Sequence, residues 1–236
     1  MGWPMDRGLY LAASGMLAEQ LRQDQIANDL SNSSTSGYKA ERTTQQSFGK
    51  LLLANSVTGA TIGSQSTGVQ VTNTVTNWTP QALKDTGEPL DMAVNGDGFF
   101  AVQTSDGVRY TRNGEFSSDE QGRLVTPMGD PVLGRNNEPV TLGADGKVDP
   151  RLLNVVLLTN PTKTGDSLVT GTPGAVAGQV AGQVRSGALE GSGADANQAM
   201  VDMIESMRAY EAGQKVIHTI DETLGKAASS VGSLGS

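Results

Sequence analysis

Proline placement constrains this chain more than any other feature. A proline inside a helix removes a hydrogen bond and clashes with the preceding turn, at a cost of about 3 kcal/mol. Eight of the nine prolines lie between Pro80 and Pro173, while residues 5–79 and 174–236 contain none. Long helix is therefore expected only at the two ends, and the 30 glycines divide even those arms into helical and non-helical parts.

Leu9, Ala12, Ala13, Met16, Ala27 and Leu30 recur at helical spacing, and the run ends in the Ser/Asn/Gly-rich stretch 31–37. The pattern predicts an amphipathic helix over residues 6–30, with Gln20 and Gln23 on its apolar side. Near the other end Met203, Tyr210, Ile217 and Leu224 repeat every seven residues, with Met200 and Met207 in an offset row. A second helix with a coiled-coil-like seam is expected over about 196–227. Asp195 and Gln198 have the spacing of a capping pair at its start.

Between the arms, Asp106-Gly107, Asn113-Gly114, Gln121-Gly122, Met128-Gly129 and Asp145-Gly146 separate short alternating segments, the pattern of strands joined by tight turns. Trp78, Phe99, Phe100, Tyr110 and Phe116 are five of the ten aromatics and mark the expected core. The reading is an α+β chain: N- and C-terminal helices paired as a coiled-coil-like arm, around a mainly β middle of short strands. Its expected divisions are 1–40 with 192–236 as the helical assembly domain, 41–68 as a linker, 69–170 as the β domain, and 171–191 as a Gly/Ala-rich linker.

Chemistry finds little purchase. The chain lacks cysteine and has one histidine, His218, so disulfides, thiol catalysis and thiolate or His-rich metal sites are excluded. A formal charge of −8 gives no electrostatic footprint for nucleic acid. No apolar run reaches the roughly 18–20 residues of a membrane span, and Arg7 with the apolar residues after it continues as helix, so neither membrane insertion nor a cleaved signal is expected. Gly96-Asp97-Gly98 mimics part of a dinucleotide fingerprint, but the residues that follow alternate as a strand where a helix is needed. A calcium loop from Asp91 fails at Ala93 and Val102, and no Gly-x-Ser-x-Gly elbow accompanies His218. Neither a catalytic residue nor a cofactor is assigned. The two helical seams lack an evident partner in the β region, so the arms must pair with each other or with other subunits.

Five segments in order carry a resemblance: MDRGLYLAASGM (5–16), ANDLSNSSTSGYK (27–39), LDMAVNGDGFF (90–100), YTRNGEFSSDEQGRLVT (110–126) and MVDMIESMRAYEAGQKVIHTIDETLG (200–225). Together they resemble the bacterial flagellar rod and hook axial proteins, and most closely the basal-body rod proteins. The resemblance implies a structural, torque-transmitting subunit of a helical tube in the flagellar basal body of the cell envelope. It implies self-assembly with other rod and hook axial proteins, and passage through the flagellar type III export apparatus without a cleaved signal. The family's Asn-rich motif falls on residues 27–32 and its Gly-aromatic-Lys ending on Gly37, Tyr38 and Lys39, with Asp29 and Ser31 replacing the usual Asn and Ala. The resemblance implies a usual start at Met5, so residues 1–4 are expected to be an extra leader or a misassigned start.

Subunit contact is accordingly expected at Leu9, Met16, Ala27, Asn28, Leu30, Asn32, Met203, Met207, Tyr210, Ile217 and Leu224. For Asn28 and Asn32 simple helix termination is an equal alternative, since Asn favours caps and turns. Other readings are a hook protein of the same system, whose β region would be longer, or an extracellular β-domain binding module or enzyme, which would require a deep pocket of convergent polar groups.

Overall fold

The computed structural model describes residues 4–47, 50–54, 61–66, 69–165, 167–174 and 181–233. Two compact units emerge: residues 1–31, 41–76 and 196–236 form one, residues 32–40 and 77–195 the other.

In the first unit the expected helices are present and longer than the periodicity indicated: α1 spans Pro4–Ser31 and α2 spans Ala196–Ser233. Between them in sequence lie β1 (Glu41–Ser47), β2 (Lys50–Ala54), β3 (Thr61–Ser66) and β4 (Val69–Thr76). β1 pairs antiparallel with β4, with a bulge between Thr44 and Gln45, and β2 pairs antiparallel with β3. The linker expected over 41–68 thus contains three strands, and β4, assigned to the β domain, belongs to this unit instead. A segment such as ERTTQQS has no apolar alternation, so its strand character left no period-two signal.

The second unit is mainly β. Its strands are β5 (Leu83–Asp85), β6 (Met92–Asn95), β7 (Phe99–Thr104), β8 (Gly107–Thr111), β9 (Ser117–Ser118), β10 (Leu124–Val125), β11 (Val155–Val156), β12 (Leu158–Gly165), β13 (Leu168–Pro173), β14 (Gln183–Ser186) and β15 (Ala188–Glu190). A five-stranded antiparallel sheet runs in the order β11-β7-β8-β13-β12, while β14 pairs with β6, β15 with β5 and β10 with β9. Side chains alternate across a strand. β7 exploits both faces: Phe100 and Val102 enter a cluster with Met92, Leu124, Val132 and Leu153, while Phe99 and Ala101 join Tyr110, Leu133, Leu158 and Val169. Phe116 meets Phe100 edge-on at 5.2 Å between ring centres, and Trp78 meets Phe99 edge-on at 5.8 Å. The aromatic-rich stretch is the core, as expected.

Gly98, with φ +123°, turns the chain into β7 rather than into a helix, so the Gly96-Asp97-Gly98 sequence is a strand entrance. The expected Gly/Ala-rich linker 171–191 carries the end of β13 and all of β14 and β15, with residues 175–180 outside the described set. Two of its described small residues serve close approach. A Cβ on Gly182 would stand 2.5 Å from the Asn95 carbonyl oxygen, and Ala188 is completely buried.

Candidate assembly surface

α1 and α2 meet side by side, running in opposite directions. Gly8 lies against Ile220, Gly213 against Met16, and Ser206 against Glu19. The residues of α2 that enable this are Ala199, Ser206, Gly213 and Ile220, one every seven positions and mostly small. Ala199 and Ser206 are buried, and a Cβ on Gly213 would stand 2.7 Å from Met16 Cγ. Glycine within a helix costs about 1 kcal/mol of propensity relative to alanine, and here it admits the methionine of the opposing helix. The row Met203, Tyr210 and Ile217 flanks this stripe and is half-buried. The offset row expected at Met200 and Met207 does not lie in the packed face: both are half-exposed, at 51% and 50%. Small side chains produce no hydrophobic peak, so the sequence pattern pointed one row away from the packed one.

With that face occupied, α2 still shows an apolar strip of Met200, Val201, Ile204 and Met207, each about half-exposed. On α1, Tyr10, Leu17 and Leu21 share one exposed side at helical spacing. Of the residues expected to make contacts, Leu9, Met16 and Leu30 are half-buried, Ala27 and Asn28 are exposed, and Leu224 is 37% exposed. α1 buries Ala18 and Ile26 in place of the expected Ala13 and Ala27, because it packs on β1 and β4 as well as on α2. Of the two glutamines, Gln20 is exposed and Gln23 half-buried. His218 is a surface residue of α2, 3.3 Å from Glu222.

Asn32 lies in the second unit and serves local structure. Its carbonyl accepts hydrogen bonds from Thr35 N–H at 3.0 Å and from the Ser192 hydroxyl at 2.8 Å. The motif that follows belongs to a buried polar node of the described residues. Lys39 Nζ donates to Glu190 Oε1 at 2.7 Å and to the Thr79 carbonyl at 2.8 Å. Arg112 Nη1 donates to Glu190 Oε2 at 2.9 Å, and Nη2 to the Gly96 carbonyl at 2.7 Å. Gln81 N–H completes the shell of the Glu190 carboxylate. All three ionic side chains are at most 3% exposed. Burial pulls the Lys39 ammonium below its ordinary pKa of 10.5, with Glu190 opposing the shift and Arg112 adding to it. Gly37 donates its N–H to the Glu190 carbonyl, and Lys163 sits 4.3 Å above the Tyr38 ring. The node joins the segment leaving α1 to the segment leading into α2. Neither Arg112 nor Glu190 was singled out from the sequence, since each lies far from Lys39 along the chain and only proximity identifies the trio.

Among the described residues there is no helix long and apolar enough to cross a membrane. Comparison with known proteins matches three stretches to family models: residues 9–39 to the flagella basal body rod protein, 93–155 to the flagellar hook protein FlgE/F/G D1 domain, and 185–230 to the flagellar basal body rod FlgEFG protein C-terminal region. The chain is similar to the flagellar hook-basal body complex protein FlhO of Bacillus subtilis (32% identity, 98% of this chain and 100% of the relative). It is similar also to the flagellar basal-body rod protein FlgG of the same organism (33%, 93% and 97%) and to FlgF of Caulobacter vibrioides (33%, 98% and 99%).

Proposed function

The chain belongs to the flagellar basal-body rod protein family, and from that premise we propose how its parts serve the rod. It is a structural subunit of the basal body and not an enzyme. The antiparallel α1–α2 pair acts as a coiled-coil-like assembly arm, and the subunit polymerises with itself and with other flagellar axial proteins into a helical tube that transmits torque. The chain reaches its place through the flagellar type III export apparatus.

The observation that carries this reading is the apolar strip Met200, Val201, Ile204 and Met207, still half-exposed after α2 has packed against α1. A contiguous exposed apolar face marks a surface for another protein. A tube needs heterologous contacts that do not close on themselves, and an outward strip on a long helix supplies one. Leu9, Met16, Met203, Tyr210 and Ile217 then act by holding the arm together, while Met207, Ala27, Asn28 and Leu224 face neighbours. Leu30 and Asn32 aim the arm.

Sedimentation of the full chain at increasing concentration, with negative-stain imaging, tests the reading. The wild type should elongate or polymerise, and Ile204→Asp should stay monomeric with unchanged circular dichroism. Assembly of Ile204→Asp at the wild-type concentration would remove the strip from the interface.

A further inference from the structure

Arg112 is 3% exposed, and its terminal nitrogens are taken up by the Glu190 carboxylate, the Val94 carbonyl and the Gly96 carbonyl. Its Nε–H is left over. Among the described residues Arg112 Nε is the one buried side-chain polar atom without a hydrogen-bond partner. An ionised donor buried without an acceptor carries the penalty of its lost hydration. Arg112 also borders a small cavity of about 10 Å³, whose wall includes Lys39, Trp78, Phe99, Lys163 and Ser167. A space of that order admits one water-sized sphere, so its guest is a water or a monatomic ion, and phosphate or sulfate is too large.

Charge decides between the two. At the buried centre two cations, Lys39 and Arg112, share the single carboxylate of Glu190. Asp97, half-buried, acts on the Lys39 ammonium more weakly than either of them. One positive charge is therefore in excess where hydration is poor, and an uncompensated buried charge is costly. A water could accept from Nε without altering that sum, and it would have to place two protons of its own. An acceptor-only guest suits the wall better, since ammonium, guanidinium, hydroxyl and indole side chains border the cavity and all of them can donate. Aromatic rings add a positive edge, and Trp78 and Phe99 stand edge to face here.

We propose that this cavity binds a single chloride ion, held by Arg112 Nε–H as the second counter-ion of the Lys39–Glu190–Arg112 node. The node joins the segment leaving α1 to the segment leading into α2, so chloride stabilises that junction within the second unit. The inference is independent of the assembly reading.

Replacing Trp3 by Phe leaves Trp78, on the cavity wall, as the sole tryptophan. Bromide is the probe, because it has the charge and nearly the size of chloride and quenches indole fluorescence on contact. The dilute full chain is titrated at constant ionic strength, with gluconate as the balancing anion. Bromide should quench Trp78 in a saturable step that chloride competes away and sulfate does not. Lys39→Met removes the excess charge and Arg112→Lys removes Nε–H, and each should raise the half-saturating bromide concentration at least about tenfold, as loss of a charge-assisted contact does. Lys39→Met keeps the Arg112–Glu190 pair, so the test does not depend on Arg112→Lys folding. Exchanging gluconate for chloride should also raise the urea midpoint of the wild type by more than that of Lys39→Met. Quenching that stays linear in bromide, or that chloride does not relieve, would mean that water alone fills the cavity and would overturn the proposal. An unchanged half-saturating concentration in Lys39→Met would overturn it as well.

Discussion

The Ser206 hydroxyl donates to the Glu19 carboxylate at 2.7 Å across 187 positions of sequence, and Ser206 is completely buried. This bond ties α2 to α1 at a point where apolar packing alone would tolerate sliding. Hydrogen bonds to charged groups contribute about 1.5–3 kcal/mol. Ser206→Ala is expected to lower the stability of the helix pair by about that amount, read as an earlier loss of helical circular dichroism in urea. Ser206→Leu should do worse, since the site has no room for a larger side chain.

Gly37 adopts φ +68°, and a Cβ there would stand 2.3 Å from the Arg112 carbonyl oxygen. Backbone cannot step aside as a flexible side chain can. Gly37→Ala is expected to destabilise the second unit by at least about 1–3 kcal/mol, the usual cost of a strained left-handed residue, with the clash added. Trp78 fluorescence under denaturant, with Trp3 replaced by Phe, measures this.

Glu190 holds both buried cations, so Glu190→Gln leaves Lys39 and Arg112 facing each other. Removing one partner of a buried ionic group costs about 3–5 kcal/mol. The same fluorescence transition should move accordingly, and Lys39→Met should cost less, because Arg112 continues to pair with Glu190.

The node predicts a pH dependence with a definite sign. Lys39 has a lowered pKa in the folded state, caused first by burial, so between that value and 10.5 the unfolded chain binds more protons. Stability therefore rises with pH through this window. Tyr110, whose pKa burial raises, opposes the trend above 10.0. Urea midpoints measured from pH 8 to 10 should climb more steeply for the wild type than for Lys39→Met. Equal slopes would mean that Lys39 is not the group responsible.

Ile217 flanks the packed stripe of α2 and is half-buried, and Ile217→Asp places a charge there. Burying an isoleucine is worth about 1.5–3 kcal/mol when complete, and a desolvated carboxylate adds to the loss. The variant should lose helix pairing and assembly while the Trp78 transition of the second unit stays in place. Glu205→Gln, at an exposed position, should be nearly silent in both measurements. An altered Trp78 transition in Ile217→Asp would show that the helices contribute to the stability of the second unit.

Local physics made much of this chain legible in advance. Proline confined helix to the ends, seven-residue spacing located α2, and Gly-containing turns with clustered aromatics located the β core, because each of these signals acts over a few neighbouring residues. Polar strands such as β1 escaped notice because neither face advertises itself, and the Gly/Ala-rich approach to β14 and β15 resembled a linker because close backbone contact and flexibility call for the same small residues. Which row of α2 would pack was decided only in three dimensions: Ala199, Ser206 and Gly213 carry too little apolar surface to raise a hydrophobic peak, and they become an interface only when the side chains of α1, Met16 and Glu19 among them, arrive opposite them. The Lys39–Glu190–Arg112 node is the same case for charge, since a buried ion pair depends on partners that are adjacent in space and separated by 151 and 78 positions in sequence. Periodicity determines which faces must be covered, and only the long-range meeting of side chains, through shape and desolvation, decides what covers them.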